Sequence, residues 1–381
     1  MELIISNLKN DESKQYIIVN SHDNSLINNS KARRIIHEMC EKDGLYTKTV
    51  TNDQNMLFII ISKVKIDYGS IGFTTRKCPT EKDLSHFIRD FKLPIPVNKE
   101  PYFSYFMDMY DKLFSIREKY DLLIDAINHH EIGGSSVHKH GLIIADKIKE
   151  AVTKLPEFEK LVSNKQFTVK EFPSKKEIYE QKYSDRKAFI SLDIITANFN
   201  AFKFVDPLLV LGCASWEDLI RKFTEIEYFV KSKHFRQIVF GRMGSIMKKI
   251  SSIQKYLTNE LYHQIKTKLD VCSVSNDEIV INSSLETFLD DVAVCNTSVQ
   301  NLPENMKSIW KIIPFSLLSL GNSQAIVKSN LLTDNVEIRH IGKEYYAQAF
   351  KYYIGKEIVP YDLKFTNYDG ILATFDEQIK F

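Results

Sequence analysis

The sequence predicts an α+β protein, and three observations lead there. Short runs of β-branched and apolar residues recur toward both ends of the chain. The middle carries apolar residues at three- and four-residue spacing, the period of a helix face. The 381 residues include only 13 glycines and 10 prolines, which argues against a glycine-rich doubly wound fold and against long linkers. At roughly 100–200 residues per domain, the length allows about two to four domains.

In the first hundred residues Gln15–Asn20, Leu45–Thr51 and Met56–Lys63 read as strands. Ser30–Glu41 and Glu81–Phe91 read as helices, the second with Thr80 as a cap. Lys92–Pro101 holds three prolines, which remove donors and disfavour helix before them, and is the best boundary candidate. From Tyr102 to about Gln181 the pattern is mostly helical, with Phe103, Phe106, Met107, Tyr110 and Phe114 on one face. Arg186–Asp193 reads as a buried strand. Helices are expected at Ser215–Lys231, where Ser215 and Asp218 form a capping box, and through about Lys233–Thr267. A hairpin follows, Lys268–Ser275 and Glu278–Asn282, with Asn276-Asp277 at its tip. The C-terminal region reads as strands at Ala325–Asn330, Val336–Ile341, Tyr361–Phe365 and Ile371–Phe375, with an aromatic helix at Lys343–Ile354. The expected organisation is an N-terminal α+β domain (1–98), a mainly helical region (99–184), a core (185–290) and a mixed C-terminal α+β region (291–381).

Composition narrows the function classes. Hydrophobic residues are 44% and charged residues 26%, which excludes disorder over the whole length. Lys plus Arg is 51 against 49 Asp plus Glu, a net charge of +2, so any nucleic-acid binding must come from local clusters of charge. Five cysteines, Cys40, Cys78, Cys213, Cys272 and Cys295, are scattered with no C-x-x-C pair, against a disulfide framework or a cysteine zinc site. The first ten residues lack a basic leader and a long apolar core. The apolar run Met56–Ser62 falls far short of the ~20 residues that span a bilayer. An intracellular protein, cytoplasmic or nuclear, with no membrane partner is expected.

The chemistry concentrates in the middle. A strand ends on Asp193, a basic helix follows with Lys233–Gly241 near its start, and a hairpin carries Asn276, Asp277 and Glu278 at its tip. Acidic residues on adjacent strands can hold two Mg²⁺ ions, which clamp the attacking and leaving oxygens of phosphoryl transfer. Mg²⁺ takes oxygen ligands, and one or two carboxylates plus substrate phosphates suffice. A basic helix between them can neutralise a nucleotide's phosphates. Each acid also has a structural explanation: an Asp after an apolar strand is common, and Asn-Asp suits a hairpin turn.

This order of motifs, over about Arg186–Ser283, resembles the palm domain of polynucleotide polymerases, most closely the family A polymerases. In that family the first motif is a strand ending in a metal-binding Asp, matched by Asp193. A residue that senses the nucleotide's sugar follows five positions later, where this chain has Asn198. The second motif has a cation four residues before a Phe-Gly pair, matched by Arg236, Phe240 and Gly241; the usual cation is Lys, and Ser232 stands where the family has an upstream Arg. The third motif is His-Asp-Glu at a hairpin tip, here Asn276-Asp277-Glu278. The short stretch between second and third motifs is closer to reverse transcriptases and the RNA polymerases of RNA viruses. The resemblance implies a polymerase-palm-like core of antiparallel strands with helices, flanked by the helical and C-terminal regions. It implies Asp193, Asp277 and Glu278 as catalytic residues, with Asp193 and Asp277 holding Mg²⁺ (or Mn²⁺), and Asn198, Arg236 and Phe240 as nucleotide contacts. The partners would be nucleic acid and a nucleoside triphosphate.

Two further features bear on partners. Lys248 and Lys249 dot the central helix, and Lys343–Lys356 interleaves Tyr345 and Tyr352 with lysine, a pattern that can stack single-stranded bases; aromatics at helical spacing also build cores, and the cations also suit a solvated face. His129, His130, His138 and His140 crowd one loop without a zinc spacing and read as solvated, with no role assigned, and Ser135 or Ser136 reads as a helix cap. The leading expectation is a nucleotidyltransferase that adds nucleotides to a nucleic-acid 3′ end by a two-metal mechanism. The alternative is a non-catalytic nucleic-acid-binding or scaffold protein with a palm-like or unrelated α+β core.

Overall fold

Ile59, Ile60 and Ile61 occupy consecutive positions of one strand and are all fully buried, so both faces of that strand are covered. It is β3 (Leu57–Ser62), the middle of an antiparallel sheet in the order β1-β3-β2, with β1 at Tyr16–Asn20 and β2 at Tyr46–Thr51. Helix α1 (Ser30–Lys42) lays Ile36 and Cys40 on Val19, Ile59 and Ile61. His37 of α1 bonds the hydroxyls of Thr47 and Thr49, the latter at 3.0 Å, which ties the helix to β2. These elements belong to one unit, Met1–Cys78; the second is Pro79–Phe381. The computed structural model describes residues 8, 10, 16–20, 30–51, 57–64, 79–129, 132, 136–163, 167, 169, 172–173, 178, 187–321 and 323–381.

The second unit begins with α2 (Glu81–Asp90), opened by a capping box in which Thr80 and Asp83 satisfy each other's backbone N–H. The proline-bearing stretch after it is buried from Leu93 to Asn98 within this unit. Helix α3 (Tyr102–Phe114) buries Phe103, Phe106 and Tyr110, the face its periodicity predicts. Then come α4 (Ile116–Asn128), α5 (Val137–Thr153), capped by Ser136, and α6 (Pro156–Ser163). Thr366 donates its backbone N–H to the Pro96 carbonyl at 2.8 Å, and Tyr105 donates its hydroxyl to buried Asp362 at 2.8 Å, so the chain's far end is fastened to this helical layer.

The core is a six-stranded antiparallel sheet in the order β5-β6-β4-β7-β8-β9. The strands are β4 (Ala188–Ile194), β5 (Val271–Val274), β6 (Glu278–Ser283), β7 (Trp310–Ser319), β8 (Ile326–Asn330) and β9 (Val336–Arg339). Successive side chains of a strand point to opposite faces. Ile190, Leu192 and Ile194 therefore share one face, which joins the main core with Ile279, Ile281 and Val327. Phe189 points the other way and stacks on Phe315 at 5.4 Å, with Val280, Leu317 and Ile326 beside it.

Helices between β4 and β5 cover the first face: α7 (Ala197–Val205), α8 (Trp216–Arg221), α9 (Glu227–Lys231), α10 (Lys233–Gly241) and α11 (Met247–Ile265). The single helix expected over Lys233–Thr267 is two, because Gly244 takes a left-handed φ of 66° and a short 3₁₀ turn intervenes. The expected Ser215–Lys231 helix is also two short ones, opened by the expected Ser215–Asp218 box. Helix α12 (Phe288–Gln300) and strand β7 were not expected; α13 (Glu304–Lys307) joins them. The aromatic segment is a 3₁₀ turn, Lys343–Tyr345, running into α14 (Tyr346–Tyr353). A short hairpin of β10 (Lys364–Thr366) and β11 (Leu372–Thr374) completes an α+β fold. Among the described residues no helix is long and apolar enough to cross a membrane.

Candidate active site

β4 and β6 are paired so that Asp193 lies directly across from Glu278, with Lys311 of β7 on its other side. Two like charges directly opposite on one sheet face repel. Asp277 is the next residue, in the turn: Ser275 donates its N–H to the Glu278 carbonyl at 2.8 Å, leaving Asn276 and Asp277 as the two turn residues. The Asp277 carbonyl accepts from the Ile194 N–H at 2.9 Å, which brings the tip to the end of β4. Its carboxylate accepts from the Ser275 hydroxyl at 3.3 Å.

The surroundings hold these acids in place. Asn276 gives its carbonyl to the Thr258 hydroxyl at 2.8 Å and donates its amide to the Ser251 hydroxyl at 2.8 Å, both on α11. Ser191, two residues before Asp193 and on its face, donates to Glu278 at 2.5 Å. Asp193 itself has no hydrogen bond or ion pair among the described residues. Burial first, then the charges of Glu278 and Asp277, push its carboxyl up to about 6, against weaker opposing pulls from Lys233 and Lys328. Beside the tip lies a cavity of about 510 Å³, bounded by Phe172, Lys255, Asn276, Asp277 and Glu278.

The cations stand on two sides. Arg236 of α10 is half-buried, and burial lowers its pKa against the pulls of Glu217 and Asp193. Its guanidinium makes no ion pair or hydrogen bond among the described residues. Lys328 of β8 shares the Asp193 face and sits 4.0 Å from the centroid of the Phe315 ring. Burial holds its ammonium below the usual lysine range, against the charges of Glu278 and Asp193.

The other sequence candidates divide. Asn198 stands on α7, and its Oδ1 accepts from Gln254 of α11 at 2.9 Å, while its amide nitrogen makes no hydrogen bond among the described residues. Phe240 is a correction to the expected nucleotide contact: it is 1% exposed, against Trp216 at 5.7 Å and Phe202 at 5.6 Å, so it packs α10 onto the core. Lys248 is exposed and Lys249 half-buried on the first turn of α11. Tyr345 stacks on Phe375 at 4.4 Å, while Tyr352 is 47% exposed with Phe381 beside it at 4.9 Å.

The histidines part company: His138 stacks on His86 at 4.4 Å, His140 lies against Phe229 at 5.9 Å, and His130 is outside the described residues. Among the described residues, no group of three or more His, Cys, Asp or Glu is gathered as a ready metal cage. Sequence reasoning missed Ser191 and Lys328. Ser191 was open to it, as a polar residue at strand period two from Asp193 inside an apolar run. Lys328 was not, because its approach depends on which strand follows β4 in the sheet. No family model, curated protein or solved structure matches this chain, so the chemistry of these side chains has to carry the functional reading.

Proposed function

We propose that the protein is a nucleotidyltransferase with a polymerase-palm-like core, adding nucleotides from a nucleoside triphosphate to a nucleic-acid 3′ end at the Asp193–Glu278 pair. The observation that supports this is an acidic cluster at the end of a central strand, only partly offset by Lys233 and Lys328. Two carboxylates lie across from each other on adjacent strands, a third is one residue away, and Asp193 makes no ion pair among the described residues. Such an arrangement costs stability unless a cation relieves it, and hard carboxylate oxygens suit Mg²⁺ or Mn²⁺. When bound, the metal would supply polarisation of the phosphoryl oxygens and of the attacking hydroxyl. Asp193 and Glu278 would be its first ligands, with Asp277 able to join them.

The remaining roles follow from position. Arg236, which makes no ion pair among the described residues and feels the charges of Glu217 and Asp193, would meet a phosphate, and a guanidinium can do so bidentately. The amide nitrogen of Asn198, without a hydrogen bond among the described residues, would meet the sugar. Lys328 would offset part of the negative charge of this face when no metal is present. A second reading, a non-catalytic nucleic-acid-binding or scaffold protein, draws on the hydrogen bonds of Ser191 to Glu278 and Ser275 to Asp277, which give both acids structural work.

Primer extension separates the two. Labelled DNA and RNA primers, with and without template, are incubated with each nucleotide set and Mg²⁺ or Mn²⁺. Wild-type protein should extend at least one primer, and Asp193→Asn and Glu278→Gln should abolish extension while remaining folded. Wild-type protein that extends no primer under any combination, or an Asp193→Asn variant as active as wild type, removes the reading.

A further inference from the structure

A second cavity, of about 350 Å³, is built from the end of α2 and the loop after it, α3, α10, β9 and the aromatic segment. Its lining is of two kinds. Arg89, Lys92, His234 and Lys343 bring nitrogen-bearing side chains, opposed by one acid, Glu337. Phe114, Tyr346 and Phe350, with Leu93 and Pro94, bring rings and aliphatic wall. Neither Lys92 nor Lys343 makes an ion pair among the described residues.

Two details mark this as a ligand site more than a packing defect. Lys92 ends α2 at a left-handed φ of 52°, its N–H on the Arg89 carbonyl and that of Leu93 on the Ile88 carbonyl, so it lines the cavity from a fixed helix end. Burial, with Lys233 as the next cause, holds its ammonium below the usual lysine range, so an arriving anion would relieve it. Tyr110 forms part of the wall, is 1% exposed, and its buried hydroxyl has no hydrogen-bond partner among the described residues. A buried hydroxyl left unpaired is costly, and each such group in a folded protein calls for an explanation.

We propose that this cavity binds a nucleoside phosphate, with the phosphate at Lys92 and Lys343, the base against the aromatic wall and a ring heteroatom at the Tyr110 hydroxyl. Three demands converge on that class: an anion for the lysines, a flat ring for the wall, and a polar edge for the phenol. The size lies at the small end of the roughly 300–1,000 Å³ range of small-molecule sites, which suits a mononucleotide. The site uses no divalent metal and none of the acids around Asp193, and so stands independently of the nucleotidyl-transfer reading.

The test is isothermal titration of the full chain with AMP, CMP, GMP and UMP in EDTA, beside the parent nucleosides and inorganic phosphate. At least one monophosphate should bind, and more tightly than its nucleoside or phosphate alone. Replacing Lys92 and Lys343 together by Ala should weaken it by about tenfold or more, since charge-assisted contacts to phosphate are lost. Tyr110→Phe removes one oxygen; it should weaken the monophosphate and leave inorganic phosphate unchanged. Asp193→Asn should leave binding in EDTA as it was. Melting temperatures check the fold of each variant, and Gln replaces Ala at the lysines if the double variant fails to fold. No monophosphate binding to the wild type, affinity unchanged in the lysine variant or in Tyr110→Phe, or affinity lost in Asp193→Asn would each overturn the assignment.

Discussion

The two faces of the central sheet are made by the same strands and have opposite characters. Along β4, Ile190, Leu192 and Ile194 face the helices and are at most 2% exposed. Phe189, Ser191 and Asp193 face the other way and become more polar toward the strand's end. On the first face every group is satisfied by apolar contact. On the second, Phe189 is packed, Ser191 is hydrogen-bonded, and Asp193 is left facing Glu278. Period-two alternation lets one strand anchor the fold with one face and gather acids on the other, with like-charge repulsion confined to one end of that face.

The largest effect should come from breaking the anchoring face. Leu192→Ala removes fully buried methyl groups and should cost about 2–5 kcal/mol of stability, measured by denaturant titration. Adjacent Asp193→Asn should do the reverse. The sign follows from the raised pKa: with its carboxyl at about 6 in the folded protein, against a usual value near 3.8, the folded state binds the extra proton between those pH values. Stability therefore falls as pH rises from about 4 to about 6 and stays lower above. Asp193→Asn removes that charge, and should stabilise by about 1–2 kcal/mol at pH 7–8 after allowance for solvent screening, with the gain vanishing below about pH 4. A variant less stable than wild type at pH 8 would mean that Asp193 makes a favourable contact and belongs with the anchoring face.

How far these faces were legible in the sequence differs from one strand to the next. The β4 run, the hairpin and its Asn276-Asp277 turn stand out because alternation and turn residues are local signals. β7 was hidden by Pro314, which argues against a central strand because it lacks a donor. Pro314 sits opposite Ile190, and its carbonyl accepts from the Leu331 N–H at 3.0 Å, so the missing N–H points toward β8. There the β7–β8 ladder begins one residue later, at Phe315 and Asn330, so the missing donor falls at the ladder's end and leaves its paired residues intact. α12 was hidden because it buries only Cys295, Ser298 and Val299, too few to set a period. In the site, Asp193, Asp277 and Glu278 were legible in order, but their register was not: the direct neighbour of Asp193 is Glu278, which the fourth residue of the turn places there.

A smaller effect tests the charged face alone. Lys328→Met keeps most of the stem over Phe315 and removes the ammonium. The Asp193 carboxyl should then titrate higher than in wild type, because one of the cations that lowers it is gone. Carbon-13 NMR of the Asp193 side chain reads this directly, and an unchanged or lower titration would place Lys328 outside the site's electrostatics.

The smallest effect concerns the surface beyond the sheet, where the basic and the aromatic candidates make different predictions for nucleic-acid binding. Lys248 is exposed at the start of α11 and can meet a phosphate. Each phosphate contact to a single strand contributes about −0.7 to the slope of log affinity against log salt. Lys248→Ala should therefore flatten the slope by about that amount and weaken binding most at low salt. Tyr352 is exposed on α14 and can stack a base, which releases no counterions. Tyr352→Ala should weaken binding equally at every salt concentration, by about 1–3 kcal/mol if one base stacks there. Tyr345, stacked on Phe375, should instead lower the melting temperature when replaced by Ala, because its ring is already engaged. A slope unchanged in Lys248→Ala, with affinity unchanged in Tyr352→Ala, would leave both segments as ordinary surface and confine any nucleic-acid contact to the charged face around Asp193.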